Sequence, residues 1–525
     1  MKRKLFSCLA FAFGLAATAQ STLLFDINKG TGSSNPDVMF FYNDKIYFKA
    51  TTGAAGSDYT TDGDDADALN DHIGTELWVL DPSDPDNESL TYVDVNPGTG
   101  SSSPSYFFGF NNYVHFTRSN VPYKSDGTAA GTTQVTELVN GMDDMVELNG
   151  ILYFINISNK ELWQWDGTNT AATRVNRPTG QVETIFSWGN RESNNNHALI
   201  QAFNNKIYFA GNLTIDGTDT EGMEVIIYDP ATEQFSRATQ LPTTYRLHNF
   251  VQYNNELYFA QRESSSVALK DDFVLYKTNG SSTELVAAVN DAVDYIKPWY
   301  VWKNKLYFSA IDSNGFSQLY SYDANASTDA DAVTQITHNV KKNHDPTHFV
   351  TGSDSDDFLY YLGEKDEILK YKDTNGNDVE EPVDDNFIHR TDGTTSTILD
   401  PETILANRPI KVNDILYFEG HYSGTTTSKI FGDEVYKLNL NTLTLSDSDE
   451  KLKGINNVYP NPAKDYFMVD KSLVDAAYSI YDITGKVVKQ GVLKSQRLDF
   501  NLNTGLYIFK AQTDLGFFAQ KIIVK

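Results

Sequence analysis

A single cysteine, Cys8, serves all 525 residues, and it falls within the N-terminal leader described below. With that leader removed no thiol would remain, which excludes disulfide staples, cysteine-ligated zinc and thiol catalysis together. Stability must then come from apolar burial, for which the chain is long enough. Positive charge is also scarce: 42 Lys and Arg face 70 Asp and Glu, a formal net charge of -28. Such a surface repels nucleic acid and anionic lipid, so neither is expected as a partner. The one sustained apolar run, Leu5 to Ala16, is too short to cross a bilayer, and no transmembrane segment is expected. Catalytic signatures are missing too. The nine histidines never form His-Glu-x-x-His, and neither a Gly-x-Ser-x-Gly elbow nor a phosphate-binding glycine loop occurs. His344 and His348 lie nearest each other, but Pro346 between them breaks any helix, so their spacing is not that of a helical metal pair. No catalytic residue can be named from the sequence.

What is present begins with the two ends. Lys2, Arg3 and Lys4, the apolar run, and Ala17-Thr18-Ala19 predict a secretory signal peptide over residues 1–19, cleaved before Gln20. At the other end a polar linker over residues 447–456 leads into Tyr459-Pro460-Asn461-Pro462, then Tyr481-Asp482-Ile483-Thr484-Gly485-Lys486, then Gly505-Leu506-Tyr507, and finally Lys521-Ile522-Ile523-Val524-Lys525. Short alternating segments broken by turn residues predict a small Ig-like β-sandwich over residues 457–525. In order and spacing these four signatures resemble the C-terminal sorting domain of the type IX secretion system. The resemblance implies export across the outer membrane of a Bacteroidota-type bacterium by the type IX machinery. It also implies removal of the domain, with release or attachment at the cell surface.

Between the ends one phrase recurs: an Asn-containing pair, then an apolar residue and Tyr-Phe. It reads Asn43-Asp44-Lys45-Ile46-Tyr47-Phe48 and Asn149-Gly150-Ile151-Leu152-Tyr153-Phe154, and returns up to Phe209, Phe259, Phe308 and Phe418, with looser copies ending at Phe116 and Tyr361. The Asn pairs suit two-residue hairpin turns that need positive φ. A second phrase, Glu-Leu-Trp in Glu76-Leu77-Trp78 and Glu161-Leu162-Trp163, marks a third strand, and Val95-Asn96 and its counterparts mark a fourth. Four antiparallel strands every 50 residues or so predict an all-β chain, a β-propeller over residues 20–446. Seven or eight blades fit, and eight matches the number of Tyr-Phe strands. The opening passage Leu23 to Ser34 parallels Tyr92 to Ser102, a fourth strand with its exit loop. The chain is therefore expected to start with a fourth strand that completes the last blade near Asp433 to Leu440, protecting open edges. The phrases Glu-Leu-Trp-x-x-Asp-Gly-Thr and Asp126-Gly127-Thr128-Ala129-Ala130-Gly131-Thr132 resemble the ELWxxDGT-repeat proteins of secreted bacterial origin. That resemblance implies a propeller-like extracellular protein and no particular activity.

Candidate sites are few. Asp373, Asn375, Asn377 and Glu380 place oxygen ligands near Gly376, a pattern suited to Ca²⁺, with an acidic hairpin tip as the alternative. Residues 61–67 form a weaker case of the same kind. Trp188 and the pair Trp299-Tyr300 fall where the chain enters a blade and are candidate stacking platforms for a sugar, or else inner-strand packing. The expected function is a secreted or surface-attached binding or adhesion protein for glycan or another surface protein. A propeller enzyme acting on polysaccharide, or a purely structural surface component, stays open, because fold alone does not separate these.

Overall fold

The computed structural model describes residues 21–28, 32–52, 73–84, 88–156, 158–159, 161–175, 182–185, 200–214, 224–239, 246–262, 273–290, 292, 294–372, 378–382, 386–400, 403–422, 432–440, 458–474, 476–482, 487–513 and 516–525. Two compact units divide it, one spanning Thr18–Leu440 and the other built on Asn441–Lys525.

The larger unit is a β-propeller arrangement of antiparallel sets, most of them four-stranded; the seventh and last are joined into one eight-stranded sheet where Asn386 lies opposite Leu405. The first set is Asp37–Tyr42, Lys45–Thr51, Thr75–Asp81 and Ser89–Val93. The second is Ser105–Phe110, Tyr113–Arg118, Val121–Ser125 and Thr133–Gln134, and the third is Met142–Leu148, Ile151–Asn156, Glu161–Trp165 and Thr173–Arg174. In the fourth, Lys206–Thr214, Glu224–Asp229 and Gln234–Arg237 follow an inner strand split into Val182–Ile185 and Ile200–Phe203. The fifth is Arg246–Tyr253, Glu256–Arg262, Phe273–Thr278 and Thr283–Leu285, and the sixth is Asp294–Trp302, Lys305–Ile311, Ser317–Tyr322 and Val333–Gln335. The seventh is Thr347–Val350, Leu359–Glu364, Asn386–Thr391 and Ser396–Ile398, with a hairpin, Ile368–Lys372 and Asp378–Pro382, between its middle strands. The last takes Thr403–Val412, Ile415–Tyr422 and Glu434–Asn439 from the end of the unit and its fourth strand, Thr22–Phe25, from the beginning.

That final pairing is the one expected from the repeated passage: Thr22 lies opposite Lys437, Leu23 opposite Tyr436 and Phe25 opposite Val435. The Asn turns also form as read. Asn43, Asp44, Asn111, Asn112, Asn149, Asn204, Asn205, Asn254, Asn255 and Asn413 all have φ between 47° and 63°, which joins the first and second strands tightly with the right twist. The second strands are buried on both faces, which is why they read as apolar runs rather than alternating ones. In most of the sets the Phe of the Tyr-Phe strand is fully buried opposite an aromatic of the second phrase: Phe48 and Trp78, Phe116 and Tyr123, Phe259 and Tyr276, Phe308 and Tyr320, Phe418 and Tyr436; in the fourth set Phe209 faces Ile226 instead. The last four of these aromatic pairs stack with centroids 5.8–6.1 Å apart.

Neighbouring sets share cores. Tyr47, Leu77 and Val79 of the first pack on Val114 and Phe116 of the second, and Phe203 and Tyr208 of the fourth on Leu257 and Phe259 of the fifth. Phe48, Trp78 and Leu80 of the first pack on Val412, Tyr417 and Val435 of the last. The seam between chain ends is thus an apolar interface like the others, with Lys437 Nζ 2.7 Å from the Glu88 carboxylate across it. A fully buried side chain of this size stabilises by about 1.5–3 kcal/mol.

The turns between third and fourth strands dock on the preceding set. Gly280 (φ +90°) lies so close to Tyr208 that a Cβ would sit 2.3 Å from its hydroxyl oxygen, whereas Gly150 (φ +78°) has nothing within 4 Å. Gly150→Ala should cost about 1 kcal/mol for the backbone alone, and Gly280→Ala roughly 2–3 kcal/mol because the tyrosine must also move. Urea midpoints of the two variants check this; equal losses would contradict the docking.

In the C-terminal unit Tyr466–Met468 pairs with Arg497–Asp499, and Val487–Val492, Ala477–Asp482, Gly505–Thr513 and Gly516–Val524 form a four-stranded sheet. Phe467, Leu473, Ile480, Phe509 and Ile522 form its core.

Candidate functional site

Strand order gives the propeller two unlike rims. One carries the first-to-second and third-to-fourth connections. These are mostly Asn turns and Asp-Gly-Thr turns in which Asp126, Asp166 and Asp392 each accept from the backbone N–H and hydroxyl of the following Thr128, Thr168 and Thr394. The repeat signature is therefore structural, an aspartate closing its own turn. The opposite rim has the ends of the second-to-third and fourth-to-first connections, and the second-to-third segments that join Thr51 to Thr75, Thr214 to Glu224, Arg262 to Phe273, Glu364 to Asn386 and Tyr422 to Glu434 are long in sequence. The innermost strands also bulge on their halves toward this rim, between Asp37 and Phe40, Ser105 and Phe108, Asp143 and Met145, His248 and Val251, and Thr347 and Val350. Tyr106 (φ 58°), Asp144 (φ 34°) and His348 (φ 51°) sit within these bulges in the left-handed region, which bulky residues seldom adopt. Bulges of this kind re-aim side chains and concentrate beside binding sites.

Two buried carboxylates, Glu76 and Glu434, have an architectural role. Glu76 accepts from the backbone N–H of Val95 (2.8 Å), Asn96 (3.4 Å) and Ser102 (2.7 Å). Glu434 accepts from the N–H of Ile27 (2.9 Å), Asn28 (3.1 Å) and Ser34 (3.0 Å), and from the Ser34 hydroxyl. The same bonds thus hold the exit loop after the fourth strand in the first set and in the last. Burial pushes both carboxyls up, Glu434 to about 7. Glu76 and Glu434 thus latch their exit loops, whereas Glu161 of the second Glu-Leu-Trp phrase pairs with Arg174 (3.0 Å).

The seventh set departs from the pattern. An eight-residue loop replaces its Asn turn, and Asp356 organises it by accepting from Thr351 Oγ1 (2.6 Å), the N–H of Gly352 (2.7 Å) and Ser353 (3.0 Å), and Lys411 Nζ (3.2 Å). Burial works against ionisation, but these donors hold its pKa down at about 2. A carboxyl depressed below its unfolded value stabilises the fold above that value and stops doing so as pH falls through the folded one. Asp356→Ala is accordingly expected to cost about 2 kcal/mol at pH 7, with the gap to the wild type closing between pH 4 and 2 in urea titrations. A gap independent of pH would contradict this role.

Of the residues singled out by sequence, Trp188, Asp373, Asn375 and Asn377 lie outside the described residues, as do residues 61–67. Glu380 is in strand Asp378–Pro382 opposite Lys370, and Trp299 is in Asp294–Trp302 opposite Phe308, both placed by backbone alone. Tyr300 is half-buried, stacks on Phe349 at 6.3 Å and lies beside the core of Trp302, Tyr307 and Tyr361 between the sixth and seventh sets. Among the described residues no group of three or more His, Cys, Asp and Glu is arranged to hold a metal, and no helix is long and apolar enough to cross a membrane. Reading by sequence neighbours missed one cluster: His344 meets His389 rather than His348, with ring centroids 4.8 Å apart. The signal was present in the aligned repeats, where Tyr361 replaces a Phe and His389 replaces the Trp of Glu-Leu-Trp.

These features define a β-propeller followed by a small β unit. Residues 457–525 match the family described as a secretion system C-terminal sorting domain. That tail indicates export to the cell surface or extracellular space and engagement of the type IX secretion machinery. No curated protein matches the chain in sequence. Among solved structures it is similar to the β-propeller domain of the Trilobed protease from Pyrococcus furiosus, at 10% identity, 74% of this chain, 97% of that one and TM-score 0.35. It is also similar to PorZ, a bacterial surface component of the type-IX secretion system of Porphyromonas gingivalis, at 10% identity, 93% of this chain, 86% of that one and TM-score 0.20. A third is oligogalacturonate lyase from Vibrio parahaemolyticus, at 9% identity, 71% of this chain, 95% of that one and TM-score 0.38. The propeller architecture rests on the strand order and packing of this chain itself.

Proposed function

We propose that the chain is an exported eight-bladed propeller that binds an extracellular ligand, a glycan or a surface protein, through the rim bearing its long connections. The observation that carries this reading is the inequality of the rims. One is closed mostly by short self-satisfied turns, while the other has the longest connecting segments in the sequence and the inner-strand bulges, and such connections on a rigid scaffold are where binding residues concentrate. In this reading residues 1–19 are a signal peptide, residues 20–446 the propeller, residues 447–456 a linker, and residues 457–525 an Ig-like sorting sandwich. The repeats belong with the ELWxxDGT type. Trp188 and Trp299 would stack on sugar, with Tyr300 supporting the second. Asp373, Asn375, Asn377 and Glu380 would hold Ca²⁺ at the tip of a hairpin.

The experiment is retention of the full chain on a polysaccharide array with and without Ca²⁺, read together with release of reducing ends or unsaturated products. Retention without product supports binding, and loss of retention on chelation assigns the hairpin. Product formation would replace this reading by catalysis.

A further inference from the structure

Three exchanges in the seventh set fall at one place. Tyr361 stands where the other second strands have Phe, and its hydroxyl is buried. His389 stands opposite it, where Trp78 faces Phe48. His344 occupies the position of Ser34 and Ser102: its N–H donates to Ser317 O as theirs donate to Asp433 O and Thr75 O. Each exchange alone would leave a polar group in an aromatic core, and together they satisfy one another.

The bonds fix the protonation. His344 Nδ1–H donates to Glu364 O (2.9 Å), so its Nε2 accepts from the Tyr361 hydroxyl (2.9 Å). Tyr361 in turn accepts from Ser396 Oγ. His389 Nε2–H donates to Gly363 O (3.1 Å), leaving its Nδ1 as a bare acceptor 3.5 Å from Ser396 Oγ. Both rings are neutral in this arrangement. One added proton can be housed by reversing the chain: His344 Nε2–H donates to Tyr361, Tyr361 to Ser396, and Ser396 to His389 Nδ1. A second cannot, because it needs an acceptor on His389 Nδ1 and sets two imidazolium rings 4.8 Å apart without solvent.

We propose that His344, Tyr361, Ser396 and His389 form an acid-operated lock that holds the connection 336–346 on the seventh set while the network carries at most one proton, and releases it when the second arrives. Several charged groups around the network have partners of their own. Lys342 pairs with Glu364, and Asp366 accepts from the N–H of Val340 (3.1 Å) and Lys341 (2.7 Å). Asp345 bonds Ser317, Asp312 bonds Asn314 and Phe316, Lys365 lies over Phe387, Arg390 over Phe358, and His348 bonds Thr347. His338 lies on the connection itself, and Glu367 follows the second strand in sequence. Burial pushes His344 down to about 4 and His389 well below its ordinary value. Histidines depressed below their unfolded pKa stabilise the fold above about pH 6.5 and cease to do so as pH falls toward 4.

The test is hydrogen–deuterium exchange of the full chain read by mass spectrometry from pH 7 to 4, with protection corrected for intrinsic rates. Peptides covering residues 336–346 should lose protection at least tenfold between pH 6 and 4, while those of the first set hold theirs. Restoring the pattern of the sister sets with Tyr361→Phe, His389→Tyr and His344→Ser should move that loss below pH 4. Should the triple variant not fold, histidine C2–H shifts of the wild type serve instead: the lock requires both rings silent above pH 6 and the second protonation to coincide with the loss of protection. Protection unchanged down to pH 4, the same acid loss in the variant, or two rings titrating independently near 6.5 would each overturn the proposal.

Discussion

Removing residues 21–28 is expected to lower stability by roughly 5 kcal/mol or more and to make unfolding less cooperative. The segment contributes the fourth strand of the last set, buries Ile27, and packs Leu24 and Phe25 against the seam core of Phe48, Trp78 and Tyr417. Its loss exposes that apolar surface, leaves the edge of Glu434–Asn439 unpaired and strips Glu434 of the Ile27 and Asn28 donors. Burial of two to three such side chains at about 1.5–3 kcal/mol each, with the freed polar groups added, sets the size. Calorimetry of the full chain and the truncated one measures it. A transition unchanged in midpoint and width would mean that the N-terminal strand does not close the ring.

Glu434→Ala should weaken the same seam by about 2–4 kcal/mol, because it orphans the buried N–H groups of Ile27 and Asn28 and leaves the Ser34 N–H and hydroxyl with only their bonds to Asp433 O. The wild-type residue also gives the seam a pH dependence. Its folded pKa, raised by burial to about 7, exceeds the unfolded value, so its contribution is fully present below about pH 4.5 and declines as pH rises through 7. A shift of this size corresponds to roughly 3 kcal/mol between pH 4.5 and 8. Glu434→Gln, which cannot ionise, should remove that slope while costing less than alanine at pH 8. Parallel pH profiles for wild type and Glu434→Gln would contradict the assignment. The seam and the seventh set thus oppose each other: alkali loosens the first, acid the second.

The sequence was most legible where function of the backbone is local. Asn43-Asp44 and Asn254-Asn255 announce positive φ by residue type, and the turns form there. The closing strand was legible because Leu23 to Ser34 repeats Tyr92 to Ser102, and the bonds to Glu434 and Glu76 explain the repeat. What holds those passages was not legible, since Glu434 lies about 400 residues from Ile27 and Ser34 in the chain. The Val95-Asn96 phrase, taken as the end of a fourth strand, begins beyond Val93 because Glu76 draws both N–H groups out of the ladder. His344 and His348 are the nearest histidines in sequence, and Pro346 between them excludes a helical pair; the left-handed backbone at Asp345 and His348 turns the chain there, and the fold brings His389 to His344, a contact that sequence spacing does not show. Trp188, Trp299 and Tyr300 were chosen because they stand outside the repeat; Tyr300 proves to be shared with the core between two sets, which sequence spacing cannot reveal.

The central claim is that one rim binds and the other only closes. It is tested most directly by comparing ligand retention of the full chain after shortening the connection 53–72 or 263–272 on one rim with retention after exchanging turn pairs such as Asn254-Asn255 for Asp-Gly on the other. The expected result is loss of retention from the first group of variants and none from the second, at equal thermal stability. Retention that survives every shortened connection and falls with the exchanged turns would contradict the account.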